Sequence, residues 1–268
     1  MKLLCKLMYN GAGYAGYQAQ DDARAPKPSV QRTLTAAFSE ALGFPCHVTG
    51  CSRTDAGVHA LGFCATVEPA DPDLRGDGWL RIPVGRVHRA VRRCLPPDIA
   101  IVAEAAVGDD FHPRYSAVAK EYRYAMSDAP YENPFWRDTV WHLPRPLPPD
   151  GVDRMRRAGE AILGGHDFTS FMAAGSKIRD ARRTVLSFSV ERQAERIEMR
   201  VAADGFLYHM VRILAGTLVG CAMRAIEPED MPRILEARDR SRAGVTAPAH
   251  GLALTRVDYD PPIDWICE

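Results

Sequence analysis

The stretch Val185-Leu186-Ser187-Phe188-Ser189-Val190 is followed by Glu191 to Glu195, then by Arg196-Ile197-Glu198-Met199-Arg200-Val201-Ala202. Ile197, Met199 and Val201 alternate with charged residues, so one face of that segment is apolar, as a half-buried strand requires. The two segments predict an antiparallel pair. After Gly205 comes an apolar run, Phe206 to Met223, with no such alternation and enough length for a buried helix.

Working outward, Leu3 to Tyr9 reads as a strand that Asn10-Gly11 ends. Val30, Leu34, Ala37, Phe38 and Ala41 have helical spacing, with Ser29 placed to cap a helix over 30–42. Leu61 to Val67 and Ile99 to Ala106 read as strands. Between them, Pro83 to Leu95 predicts a helix: Val84, Val87, Val91 and Leu95 form a stripe and Pro96-Pro97 stops it. Arg86, Arg89 and Arg93 share another face of that helix, a phosphate-binding surface or a solvated one. Further on come a strand over 120–126, an extended connector over 143–149, helices over 152–163 and 230–237, and a strand over 252–258. Strands and helices alternate too irregularly for a parallel strand–helix–strand series, which predicts an α+β architecture. Two halves are expected, residues 1–107 and residues 108–268.

Composition narrows the class. The chain has 268 residues, 46% apolar and 25% charged, in the range of an ordinary globular protein. Arg and Asp interrupt every apolar run before it reaches the length of a membrane span, and the first residues are too short an apolar stretch for a signal peptide. A cytoplasmic location is expected. The seven cysteines include no C-x-x-C pair, which argues against a disulfide framework or a zinc site. Lys plus Arg equals Asp plus Glu at 34 each, so a polyanion would have to be held by local charge. Arg75 to Arg93, with Arg81, Arg86, Arg89, Arg92 and Arg93, and Lys177 to Arg183 are the basic stretches.

Several motifs carry candidate chemistry. Gly11-Ala12-Gly13-Tyr14-Ala15-Gly16 matches G-x-G-x-x-G after a strand, but no helical stripe opens inside it, so a loop near a polar ligand fits better than a dinucleotide fold. Cys51-Ser52-Arg53-Thr54-Asp55-Ala56-Gly57-Val58-His59-Ala60 is a polar loop between strands; by spacing alone, Arg53 and Asp55 are either a local salt bridge closed by Gly57 or a reactive pair. Tyr122 and Tyr124 share a strand face, as core or as a stacking platform for a base. Arg212 sits in the apolar helix, where it must reach the surface or meet a carboxylate. His209 beside it reads more readily as a core histidine.

Taken together and in order, these strings resemble the tRNA pseudouridine synthases of the TruA family. The resemblance runs from Tyr9-Asn10-Gly11 and Gly16-Tyr17-Gln18-Ala19-Gln20 through Arg53-Thr54-Asp55-Ala56-Gly57-Val58-His59. It continues through Leu95-Pro96-Pro97-Asp98-Ile99, Phe111-His112-Pro113-Arg114-Tyr115-Ser116 and Tyr122-Arg123-Tyr124. It ends with His166-Asp167-Phe168, Phe206-Leu207-Tyr208-His209-Met210-Val211-Arg212 and Pro248-Ala249-His250-Gly251-Leu252. Tyr17, Asn10 and Ser52 stand where the family often has Trp, Asp and Gly, and residues 70–81 read as an insertion.

The resemblance implies two ferredoxin-like halves with mostly antiparallel sheets meeting around a central catalytic cleft. It implies isomerisation of uridine to pseudouridine at positions 38, 39 and 40 in the anticodon stem-loop of tRNA, with no cofactor and no metal. It also implies a homodimer with tRNA as partner and no membrane. Residue by residue, it makes Asp55 the catalytic carboxylate and Tyr122 the ring that stacks on the target base. Arg212 becomes the basic partner that holds and orients Asp55, and Arg53 a contact to the flipped nucleotide or its phosphate. Two rival readings are a non-catalytic RNA-binding module of the same fold and a hydrolase with paired carboxylates; the loop offers the latter only one acid.

Overall fold

A computed structural model describes residues 1–19, 27–76, 78–175 and 178–267. Gln20 of the opening loop, Asp77 of the insertion and Lys177 of the second basic stretch lie outside the described residues. The chain forms two compact units, residues 1–118 with 254–268, and residues 119–253. The expected division at 107/108 is therefore displaced to 118/119, and the chain's last segment returns to the first unit. The physical reason is local. Tyr259 donates its hydroxyl hydrogen to the Pro113 carbonyl at 2.9 Å, and its ring packs on Phe111 at 5.1 Å, which ties residues 111–113 to the first unit.

The first unit contains β1 (Lys2–Tyr9), α1 (Val30–Leu42), β2 (Cys46–Gly50), β3 (His59–Pro69), α2 (Val87–Val91) and β4 (Ile99–Val107). β1 lies between β4 and β3, antiparallel to both, with Leu3 opposite Val67 and Ala106. β2 pairs with the far half of β3, Cys46 opposite Pro69 and Gly50 opposite Ala65. Leu3, Leu4, Leu7, Leu34, Phe38 and Phe63 are fully buried. α1 has the bounds its apolar spacing predicts. Ser29 accepts from Arg32 N at 3.2 Å, and Gly43 ends the helix in the left-handed region at φ +80°.

The helix expected over 83–95 shrinks to the short α2. Gly85 has φ +89°, which breaks a helix there. The buried carboxylate of Glu104 on β4 then collects the amides of Gly85, Val87 and His88 and the ring of His88 at 2.8 Å. Arg86 precedes the helix, so the expected Arg86/Arg89/Arg93 face does not form as one stripe. Within the expected insertion, Trp79 is folded onto this unit: it is buried, donates to the Met1 carbonyl at 2.9 Å and packs edge-on against Phe44.

The second unit contains β5 (Ala117–Ser127, from Ala119), β6 (Trp141–His142), α3 (Gly151–Glu160), β7 (Gly164–Asp167), β8 (Arg182–Gln193), β9 (Arg196–Ala203), α4 (Met210–Ala222) and α5 (Met231–Ala237). Its strand order is β5-β9-β8-β7, antiparallel throughout, and β6 pairs in parallel with the end of β5. The β8–β9 pair is the one the alternation predicts, with Val190 opposite Met199 and a register shift near Leu186. Ile197, Met199 and Val201 are all fully buried. α4 starts at Met210 rather than Phe206, because His209 takes φ +60° and caps the helix in the left-handed region. Arg154 on α3 donates to the Cys221 carbonyl at 2.7 Å and pairs with Glu227, closing the carboxyl end of α4.

A last strand, β10 (Leu252–Tyr259), places residues 254–259 in the first unit beside β3. The fold thus mixes helices with mostly antiparallel strands, as the α+β reading expects. No helix among the described residues is long and apolar enough to cross a membrane. All seven cysteines are free thiols, five of them buried.

Candidate active site

The loop carrying Asp55 joins β2 to β3. β2 covers only the distal half of β3, and the loop begins where that ladder ends: Cys51 N still donates to the Cys64 carbonyl at 2.8 Å. Val58 N donates to the Asp55 carbonyl at 3.1 Å, and Gly57 sits third in that turn with φ +79°. A type II turn needs that conformation at that place, and glycine adopts it without strain.

Thr54 anchors the loop. It is buried, shares a 2.8 Å hydrogen bond with the Tyr9 hydroxyl, and accepts from Tyr17 N through its carbonyl at 3.0 Å. Its neighbours differ: Arg53 is exposed and Asp55 half-buried. A reactive carboxylate presented from a pinned backbone has little freedom to drift.

The opening loop explains its glycines through this contact. A Cβ on Gly11 would stand 1.9 Å from the Val58 carbonyl oxygen, and one on Gly16, at φ +99°, 2.7 Å from the Thr54 oxygen. The Gly11 amide donates to His59 Nδ1 at 3.0 Å, which fixes that nitrogen as an acceptor. The G-x-G-x-x-G string therefore lets two loops touch backbone to backbone. Gln31 at the start of α1 holds the same region from the other side, donating to the Val48 carbonyl and accepting from Gln18 and Ala19 N, each within 2.9 Å. Tyr14 donates to Asp98 at 2.6 Å; burial, with that acceptor, pushes its phenol well above its ordinary value.

In the second unit the two tyrosines of β5 part company. Tyr124 is fully buried, donates to the Pro248 carbonyl at 2.8 Å and meets Trp141 edge-on. Burial pushes its phenol far up, with the Arg212 charge acting in the opposite sense. Tyr122 is 6% exposed, and its ring meets Phe206 edge-on at 5.0 Å. Arg212 is half-buried in the first turn of α4. Its Nε donates to the Ala247 carbonyl at 2.8 Å, and its own carbonyl accepts from Ala247 N. The side chain is thus aimed by the chain segment before Pro248. His209, expected in the core, is half-buried with its ring 3.9 Å from that of Tyr208.

Arg53 and Asp55 come together on one loop of the first unit; Tyr122 and Arg212 belong to the second. Reading the sequence missed the strand Cys46–Gly50 and the pins Tyr9, Thr54 and Gln31. Cys46 and Val48 inward against His47 and Thr49 is a strand signal, but a short one. Of the basic residues near α2, Arg89, Arg92 and Arg93 line a groove of about 790 Å³ with Val102 and Ile266, while Arg86 does not.

Comparison with known proteins gives this geometry its family. A model described as tRNA pseudouridine synthase matches residues 158–260, which include Arg212 but not Asp55 or Tyr122. Over 253 residues the chain is 44% identical to tRNA pseudouridine synthase A of Moorella thermoacetica, covering 94% of this chain and 97% of that one. It is 38% identical over 260 residues to tRNA pseudouridine synthase A of Bacillus subtilis, and 37% over 260 to that of Bacillus pumilus, covering 97% of this chain and 100% of each relative. The chain belongs to the tRNA pseudouridine synthase A family, and it is an enzyme of the isomerase class.

Proposed function

We propose that this enzyme converts uridine to pseudouridine at positions 38, 39 and 40 in the anticodon stem-loop of tRNA, with Asp55 as the essential carboxylate. The observation that carries the reading is the Asp55 loop itself: a half-buried acid beside an exposed Arg53, on a backbone pinned by Tyr9, Tyr17 and two glycine contacts. Near-full-length likeness to enzymes named for this chemistry supports it.

The reaction breaks the C1′–N1 bond, turns the uracil and joins C5 to C1′; the C5 proton leaves and N1 ends protonated. No atoms are gained or lost, so no cofactor is chemically required. Asp55 either attacks C1′, as in covalent glycoside chemistry, or removes a sugar proton. Tyr122 stacks on the target base and assists loss of the C5 proton, Arg212 holds and orients the carboxylate, and Arg53 contacts the extruded nucleotide or its phosphate. Extrusion itself costs about a few kcal/mol. Two ferredoxin-like halves around a central cleft, a cytoplasmic homodimer and tRNA as partner complete the reading.

The test is tritium release from C5-tritiated uridine in bulk tRNA. Asp55→Asn keeps tRNA binding and loses turnover by more than about a thousandfold. An active Asp55→Asn enzyme would overturn the assignment.

A further inference from the structure

Beside the Asp55 loop lies a second feature whose lining, Arg53 apart, has no part in the isomerisation. A cavity of about 250 Å³ in the first unit is lined by Arg53 and Ser52 of that loop, by Tyr17, and by His112, Arg114 and Tyr115. Tyr115 is 77% exposed, an unusual state for a large aromatic side chain, yet it is not loosely held. Its ring lies 4.4 Å from that of His112, and the Arg114 guanidinium carbon stands 5.7 Å from its centre.

The turn beneath it is closed by its own hydrogen bonds. Ser116 N donates to the His112 carbonyl at 2.9 Å, His112 N to the Ser116 hydroxyl at 3.1 Å, and Arg114 N to His112 Nδ1 at 3.1 Å. Burial, helped by the Lys2 and Arg114 charges, pushes His112 below its ordinary value, so the ring stacks as a neutral imidazole. In the cavity wall Tyr17 is buried, and its hydroxyl has no hydrogen-bond partner among the described residues. Arg53 and Arg114 are both exposed, and neither has an ion-pair partner among the described residues.

An aromatic face open to solvent with cations beside it matches the parts of a nucleotide: a ring to stack and a phosphate to neutralise. We propose that this cavity binds a second nucleotide of the substrate RNA, distinct from the one isomerised, with its base stacked on Tyr115 and its phosphate held by Arg114. The proposal rests on the reading of the protein as a tRNA-modifying enzyme and adds to it a site that fixes the strand next to the reacting uridine.

Equilibrium binding of bulk tRNA to Tyr115 variants tests it, together with steady-state tritium release. Stacking on an aromatic side chain tolerates loss of the hydroxyl but not loss of the ring. Tyr115→Phe should therefore bind as wild type, while Tyr115→Leu and Tyr115→Ala should bind about five- to a hundredfold more weakly. KM should rise by the same factor, kcat should hold, and thermal melting should be unchanged at so exposed a position. Arg114→Ala should lower the salt dependence of binding by about one phosphate contact. Wild-type affinity in Tyr115→Leu and Tyr115→Ala would overturn the site while leaving the isomerase reading intact. Wild-type enzyme that releases no tritium from tRNA would overturn both.

Discussion

Gly11 shows most directly how one atom governs the reactive loop. An added methyl would stand 1.9 Å from the Val58 carbonyl, which is backbone and cannot rotate away. Gly11→Ala must therefore displace the turn that follows Asp55. We expect a fall in kcat of about a hundredfold, as misplacement of a catalytic group by roughly 1 Å produces, and a stability loss of about 1–3 kcal/mol. Tritium release and urea unfolding read the two effects; wild-type kcat would mean the loop tolerates the shift. Tyr122 gives a second residue-scale expectation. Tyr122→Phe keeps the ring against Phe206 and removes the hydroxyl, so turnover should slow by about tenfold or more if that oxygen takes part in proton transfer. A wild-type rate would deny the hydroxyl any role. From sequence alone Gly11 belonged to a glycine-rich string read as a loop near a polar ligand. Its true constraint is a contact with Val58, 47 residues away, and no local pattern encodes it.

Elements differ in how much of themselves they display. α1 was legible because everything that defines it is local: Ser29 as cap, an apolar stripe, Gly43 as stop. The helix near Arg89 was not, because its start is set by Glu104, a carboxylate from a later strand. The end of β5 offers a test at this scale. Asp128, buried just beyond the strand, takes two bonds from Arg192 of β8, at 2.9 and 2.7 Å, and one from Leu147 N at 3.0 Å. Burial alone would raise its carboxyl, but the Arg192 and Leu147 bonds outweigh it and hold it below the usual carboxylate value. A depressed folded pKa means the unfolded chain binds the proton more readily. The stabilisation is therefore full above the unfolded value and is lost as pH falls through the folded one. Asp128→Asn should be less stable than wild type by about 1–3 kcal/mol at neutral pH. The gap in urea midpoint should narrow as pH is lowered below about 4, where Asp128 of the unfolded wild-type chain begins to bind the proton that the folded carboxylate still resists. An equal gap at neutral and acid pH would show that the carboxylate charge is not what holds β5 to β8.

At the scale of the molecule, the charge balance poses the remaining question. With 34 basic and 34 acidic residues the chain has no net field to draw in a polyanion, so recognition of tRNA must come from where the cations stand. Many arginines are already engaged: Arg154, Arg156, Arg157, Arg192, Arg200 and Arg224 each pair with a carboxylate. Arg92 and Arg93 are exposed and have no ion-pair partner among the described residues, and with Arg89 they line the groove beside β4. Arg53 and Arg114 form a second exposed group. Each phosphate a cation neutralises releases counterions, which steepens the loss of affinity with salt by a log–log slope of about 0.7 to 0.9 per contact. Binding of tRNA should accordingly weaken by at least about tenfold between low and moderate salt. Arg92→Ala with Arg93→Ala should lower the slope by about one to two contacts if the groove touches the RNA, and leave it unchanged if that face is merely solvated. A flat salt response in the wild-type enzyme would mean that backbone phosphates are not what this neutral protein holds.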